Sequence, residues 1–259
     1  MGDLGSAGTI AWVYPGPIDR TVEDFFGMTP PDVNVVIYTK LWALKMMHGG
    51  SFDKAAFAAR REEIVQTAVD MLEYKDADCV LITGDLIQAA MGPQWTGELV
   101  DAVEQATGKP TVTAMTALTD ALEHLGASRV AVATPWRPDQ NEHPRRYLEE
   151  AGFTVAAIDG YDTQRPNDVL ELDPRTAYTR ALEVFRSAED ADAIYIACPL
   201  WRGATEAIAP LEQETGVPVL AFFNPILWRC LRSLGYTEPV ADFGRLLAEP
   251  GREPLGAAR

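Results

Sequence analysis

Short apolar runs alternate with longer amphipathic ones along most of the chain. The runs at 9–14, 33–38, 78–83, 110–114, 128–134, 153–158, 192–197 and 217–222 have strand length and end in turn signals. Between them, Asp53–Tyr74, Gly97–Thr107, Thr116–Leu125, Asn141–Ala151, Thr176–Arg186, Gly203–Thr215 and Ile226–Leu234 carry helical spacing. Strands that alternate with helices of this length predict βαβ units and parallel sheets. Continuous apolar segments such as Val80-Leu81-Ile82 suit strands covered on both faces.

The pattern is written twice. Asp76-Ala77-Asp78-Cys79-Val80-Leu81-Ile82-Thr83-Gly84 matches Asp190-Ala191-Asp192-Ala193-Ile194-Tyr195-Ile196-Ala197-Cys198. Glu104-Gln105-Ala106-Thr107-Gly108-Lys109-Pro110 matches Glu212-Gln213-Glu214-Thr215-Gly216-Val217-Pro218, and Leu125-Gly126 matches Leu234-Gly235. Near the start, Ile10–Pro15 resembles Val130–Pro135. The order is kept throughout, so the series reads as an internal duplication. The expected fold is α/β: two similar lobes with parallel sheets flanked by helices, related by a pseudo-two-fold, with the site in the cleft between them. Residues 9–115 with about 225–247 form the first lobe, 116–224 the second, and 248–259 a frayed tail.

Ligands of such sheets bind beyond the carboxyl ends of the strands. The duplication therefore pairs Gly84 with Cys198 as equivalent strand tips, and Tyr14–Pro17 with Thr134–Trp136.

Composition narrows the chemistry. The 259 residues are 47% hydrophobic and 23% charged, as in a globular protein. No apolar run reaches the ~20 residues of a membrane helix, and Met1–Gly8 lacks the basic start of a signal peptide. A cytoplasmic protein is the expectation. The net charge of −16 disfavours a nucleic-acid partner. Cys79, Cys198 and Cys230 show no metal-ligand spacing, and their odd number argues against a disulfide framework. No GxGxxG, Walker A or GxSxG motif occurs. No nucleotide, flavin, pyridoxal phosphate or metal is inferred, so the chemistry falls to protein side chains.

Cys198 closes a buried strand, and Pro199 stands where a helix or turn can begin. A thiol at a helix N-terminus has a lowered pKa, and Arg202 would add to that. The competing reading is a buried, inert cysteine. Asp85 adjoins Gly84 and would face Cys198, as an opposing acid/base, as a charge that repels a substrate carboxylate, or as a helix cap. Tyr14 and Trp136 offer flat apolar surface to a bulky substituent. Thr83, Thr134 and Asn224 offer polar groups, for a ligand or for turns. Lys40, Lys45, Arg20, Arg137 and Arg202 are the cations near strand tips and loops, and His48-Gly49-Gly50-Ser51 could form a mobile loop.

At these positions the chain resembles the maleate isomerase and arylmalonate decarboxylase branch of the aspartate/glutamate racemase superfamily. The resemblance runs from about Thr9 to Leu247. It is clearest at Ala197-Cys198, Leu211-Glu212, Gly216–Val219, Trp228, Leu231-Arg232, Gly235 and the run Leu122–Thr134. The resemblance implies cofactor-independent carbon-acid chemistry on a small carboxylic acid, and suggests a homo-oligomer. In the superfamily one cysteine per lobe flanks the substrate carbon; here the second-lobe cysteine is Cys198 and the first-lobe position is Gly84. The decarboxylases share that glycine, which implies a lone thiol protonating an enolate-like intermediate. Substrate contacts implied by position are Tyr14, Pro15, Gly84, Leu86, Thr134, Trp136, Pro199 and Asn224. Several depart from the family pattern. Asp85 and Leu86 stand where the decarboxylases have Thr and Ser that help to hold the retained carboxylate. Trp136 replaces a tyrosine, and Pro199 has no N–H to offer. Phe223, with Asn224 beside it, stands where Asn or Ser is usual. The leading expectation is a decarboxylase of a malonate-like acid. The alternatives are an isomerase or racemase that pairs Cys198 with Asp85, and a non-catalytic small-molecule binder.

Overall fold

The computed structural model describes residues 4–16, 20–40 and 53–249. Among the described residues, eight strands form two four-stranded parallel sheets. The first holds β1 (Gly8–Tyr14), β2 (Val33–Thr39), β3 (Cys79–Ile82) and β4 (Thr111–Thr113). The second holds β5 (Arg129–Ala133), β6 (Thr154–Asp159), β7 (Ala193–Ile196) and β8 (Val219–Ala221). Their orders are the same, β2-β1-β3-β4 and β6-β5-β7-β8. The duplicated apolar pattern thus folds into duplicated topology.

The repeat also reappears as repeated hydrogen bonds. Asp78 accepts from Thr9 N–H at 2.8 Å, and its counterpart Asp192 accepts from Arg129 N–H at 2.7 Å. Each carboxylate thereby satisfies an amide at the start of the strand beside it. Glu104 accepts from Thr111 N–H at 2.9 Å and Glu212 from Val219 N–H at 3.1 Å, tying each preceding helix to the strand that follows. Gly108 and Gly216 end those helices at φ +67° and +78°, the left-handed geometry that glycine tolerates best. The helices that follow β4 and β8, Ala114–His124 and Phe223–Ser233, pack on one another. Arg229 of one donates to Asp120 of the other at 2.7 Å. Such self-packing of equivalent helices is what a pseudo-two-fold requires.

Both faces of the first sheet are buried, which explains its unbroken apolar strands. Ile10, Trp12 and Tyr14 enter the larger core, while Ala11 and Val13 face the core on the other side. The larger core continues through β5, β7 and β8 without a break.

Several helix boundaries differ from the sequence expectation. The stretch Asp53–Tyr74 is two helices, Lys54–Ala58 and Arg61–Tyr74. The expected Gly97–Thr107 helix begins at Pro93, where Gly92 at φ +96° breaks the preceding helix and proline starts the next. The expected Gly203–Thr215 helix begins only at Ile208, after a run of turns. Short helices at Glu23–Met28, Asp85–Met91, Pro166–Leu170 and Arg245–Ala248 are too brief for periodicity to show. Ala248 therefore belongs to a helix; the expected tail from 250 onward lies outside the described residues. Among the described residues no helix is long and apolar enough to cross a membrane.

Candidate active site

β3 and β7 end at equivalent tips, Gly84 and Cys198, and both tips have positive φ, +120° and +81°. At Gly84 this conformation costs little, and the missing Cβ allows close approach: a Cβ there would sit 3.4 Å from Pro15 Cγ. At Cys198 the same turn is made by a residue with a side chain, a strained arrangement of the kind that concentrates at functional sites.

The thiol is buried, and the backbone N–H groups of Leu200 and Trp201 and the indole N–H of Trp136 lie near enough to favour its charged form. Burial pushes the Cys198 pKa well up, the Asp85 charge pushes the same way, and the three donors offset part of the rise. The thiol therefore keeps its proton at neutral pH. This corrects the expectation of a low-pKa thiol at a helix N-terminus. A turn, not a helix, follows Pro199, and Arg202 points elsewhere, donating to Leu172 O at 3.3 Å.

Asp85 is the first residue of the Asp85–Met91 helix, with Gly84 in the cap position, so its side chain is not the N-cap considered for it. Its carboxylate accepts from Cys198 N–H on the other tip at 3.1 Å, and its own N–H and that of Leu86 lie near enough to favour its charged form. Asp85 and Cys198 are each only 5% exposed, so the two tips are in contact. Burial raises the Asp85 pKa to about 6, against the lowering effect of the three amides. Tyr195, within the strand that leads to Cys198, is also close enough to feel both groups. Its phenol is pushed well up, by burial first and then by the Asp85 and Cys198 charges.

The remaining predicted positions divide. Pro15 lies beside Gly84, and Trp136 reaches the thiol through its indole. Leu86 contributes a backbone donor to Asp85 and packs on the core. Pro199, which has no N–H, leaves the turn's first thiol donor to Leu200. Tyr14 is buried edge-on against Trp12, ring centroids 5.3 Å apart. Thr83 accepts from the Trp12 indole at 2.9 Å.

Thr134 and Asn224, weighed for a ligand or for turns, both have their polar groups engaged in turns. Thr134 donates to Asn141 at 2.6 Å and accepts from Trp136 N–H at 3.1 Å, so its hydroxyl shapes the turn that carries Trp136. Asn224 accepts from Ala221 N–H at 2.8 Å, and its amide hydrogens go to Val219 O and Phe243 O. It repeats the role of Thr116, which accepts from Thr113 N–H in the first copy. Of the cations, Lys40 pairs with Glu63 and Arg137 with Asp139. Lys45, the Arg20 side chain and the stretch His48–Ser51 lie outside the described residues. Cys79 and Cys230 are buried against each other in the first lobe's core.

Sequence reasoning missed the Leu200 and Trp201 amides, because a backbone N–H has no residue signature. It missed Tyr195 because a strand residue three places before a tip looks like any other core position.

A family model described as arylmalonate decarboxylase matches residues 25–247. An arylmalonate decarboxylase of Bordetella bronchiseptica is 27% identical over 192 residues, covering 73% of this chain and 80% of its own. A maleate isomerase of Nocardia farcinica is 27% identical over 250 residues, covering 86% of this chain and 95% of its own. The solved structure of unliganded arylmalonate decarboxylase matches with a TM-score of 0.78 at 25% identity, over 93% of this chain and 99% of that one. The chain belongs to the arylmalonate decarboxylase family, within the aspartate/glutamate racemase superfamily.

Proposed function

We propose that the chain is a cofactor-independent decarboxylase of malonate-like acids bearing a bulky, aryl-type substituent, with Cys198 as its proton donor. The observation that carries this reading is the place of the thiol: buried on the positive-φ tip after β7, its N–H bonded to Asp85, with Gly84 and not a second cysteine on the equivalent tip. A protonated thiol is an acid, not a nucleophile. Loss of CO₂ leaves an electron pair shared between the α-carbon and the retained carbonyl. Cys198 delivers its proton to that carbon, and the amides of Leu200 and Trp201 with the Trp136 indole hold the thiolate that forms. With Gly84 opposite, no second thiol is present to return a proton from the other face. Substrate reaches the thiol as the Asp85–Cys198 contact opens.

The test is proton NMR in D₂O with arylmalonates, alkylmalonates and maleate. CO₂ release with one deuterium at the product α-carbon, abolished by Cys198→Ala, is the expected result. Exchange or isomerisation without CO₂ would remove the decarboxylase reading. The second reading, a maleate isomerase, is favoured by the longer span shared with the Nocardia enzyme. It asks Cys198 to act as a thiolate, and it predicts conversion of maleate with no gas evolved.

A further inference from the structure

The contact between the two tips is itself a recognition element. In the closed site a carboxylate acceptor, Asp85, meets an amide donor, Cys198 N–H, at 3.1 Å, with both residues buried. A substrate group that enters between them must satisfy both ends, since a buried donor or acceptor left without a partner is costly. It has to accept from Cys198 N–H on one side and donate to Asp85 on the other.

A carboxylate fails this test. It accepts from the amide, but it brings a second negative charge against Asp85 in a site sheltered from water. A primary carboxamide passes, because its carbonyl accepts and its NH₂ donates. We propose that the Asp85–Cys198 contact selects a carboxamide, so that the preferred substrates are α-substituted malonic half-amides. The inference rests on the decarboxylase reading for its chemistry, and on this contact alone for its specificity.

The step balances. The bond from the α-carbon to the carboxylate breaks and CO₂ leaves. The electron pair passes into the amide enolate, whose oxygen lies at Cys198 N–H, and the thiol proton goes to the α-carbon. Solvent restores the proton to sulfur, so the net reaction consumes one proton and yields CO₂ and a substituted acetamide. The intermediate carries one negative charge, where a retained carboxylate would give it two beside Asp85.

Binding and turnover separate the inference from the reading beneath it. At pH 7.5, calorimetry with the unreactive pair phenylacetamide and phenylacetate should show the amide bound at least about tenfold more tightly by the wild type. Asp85→Ser, which removes the charge and restores a hydroxyl, should level or reverse that order; Asp85→Asn serves as the control for a poorly folded serine variant. Equal or tighter binding of phenylacetate by the wild type overturns the inference, and so does a preference that neither substitution moves. Turnover of phenylmalonic half-amide and phenylmalonate is then compared. A Cys198-dependent kcat/KM at least about tenfold higher for the half-amide supports both proposals. Amide-selective binding with no CO₂ from either acid overturns the decarboxylase reading and leaves the selective contact standing.

Discussion

Asp85 is buried with a charge that its surroundings do not favour, and this makes it measurable. Its pKa rises from 3.8 to about 6 on folding, chiefly through burial. A carboxyl group with a raised folded pKa binds its proton more tightly in the native state. Its contribution to stability is therefore full below about pH 4, is lost as pH climbs to about 6, and stays lost above that. Cys198 and Tyr195, both shifted upward, hold their protons throughout that window. Urea unfolding should show the wild type losing roughly 2 kcal/mol from this group between pH 4 and pH 7, a loss that Asp85→Asn flattens. Equal pH slopes in the two proteins would mean that Asp85 is better solvated than its burial implies. Asp85 could be picked out from the sequence because it adjoins a strand tip. Its bond to the Cys198 backbone could not, since the partner is an amide that any residue would supply.

Among the elements, the strands were far more legible than the helix ends. A strand buried on both faces announces itself by an unbroken apolar run, as Val80-Leu81-Ile82 does. The helix expected after Cys198 failed because Pro199 and Gly203 serve equally well in turns, and Gly203 takes φ +84° in a turn. That failure changed the chemistry, since it replaced a helix dipole with two loop amides and an indole as the donors to sulfur. Asn224 shows the converse: a polar residue at a strand end could be read for a ligand or for a turn, and its amide is engaged in local backbone bonds. Asn224→Ala leaves the buried Ala221 N–H without its side-chain acceptor, so unfolding should cost about 2 kcal/mol less. Below the melting transition kcat/KM should stay within about twofold of wild type. A large fall in kcat/KM with little change in stability would return Asn224 to the substrate.

At the scale of the whole molecule, the duplication carried the fold. The two strand orders, the paired Asp78 and Asp192 bonds and the paired Glu104 and Glu212 bonds all descend from matches visible in the sequence. Which partner the site takes is not written at that level, because the two copies diverge just where they meet. The net charge of −16 has its own signature. An anionic malonate approaches against the mean field of the protein, so salt should help it. Raising NaCl from about 20 to 200 mM should increase kcat/KM for a malonate dianion, and increase it less for a monoanionic half-amide. A decrease for both would reveal a positive field at the mouth of the cleft strong enough to outweigh the rest of the surface.

The two positive-φ tips have an evolutionary consequence. At such a position glycine is the resting choice, and exchanging Cys198 for glycine would relieve about 1 kcal/mol of backbone cost while leaving a cavity where the buried thiol packs. In the standard genetic code that exchange is a single-base change. The first copy, at Gly84, carries the glycine form of this turn and the second carries the thiol form. One base separates the two forms, while backbone relief and lost packing pull that single step in opposite directions.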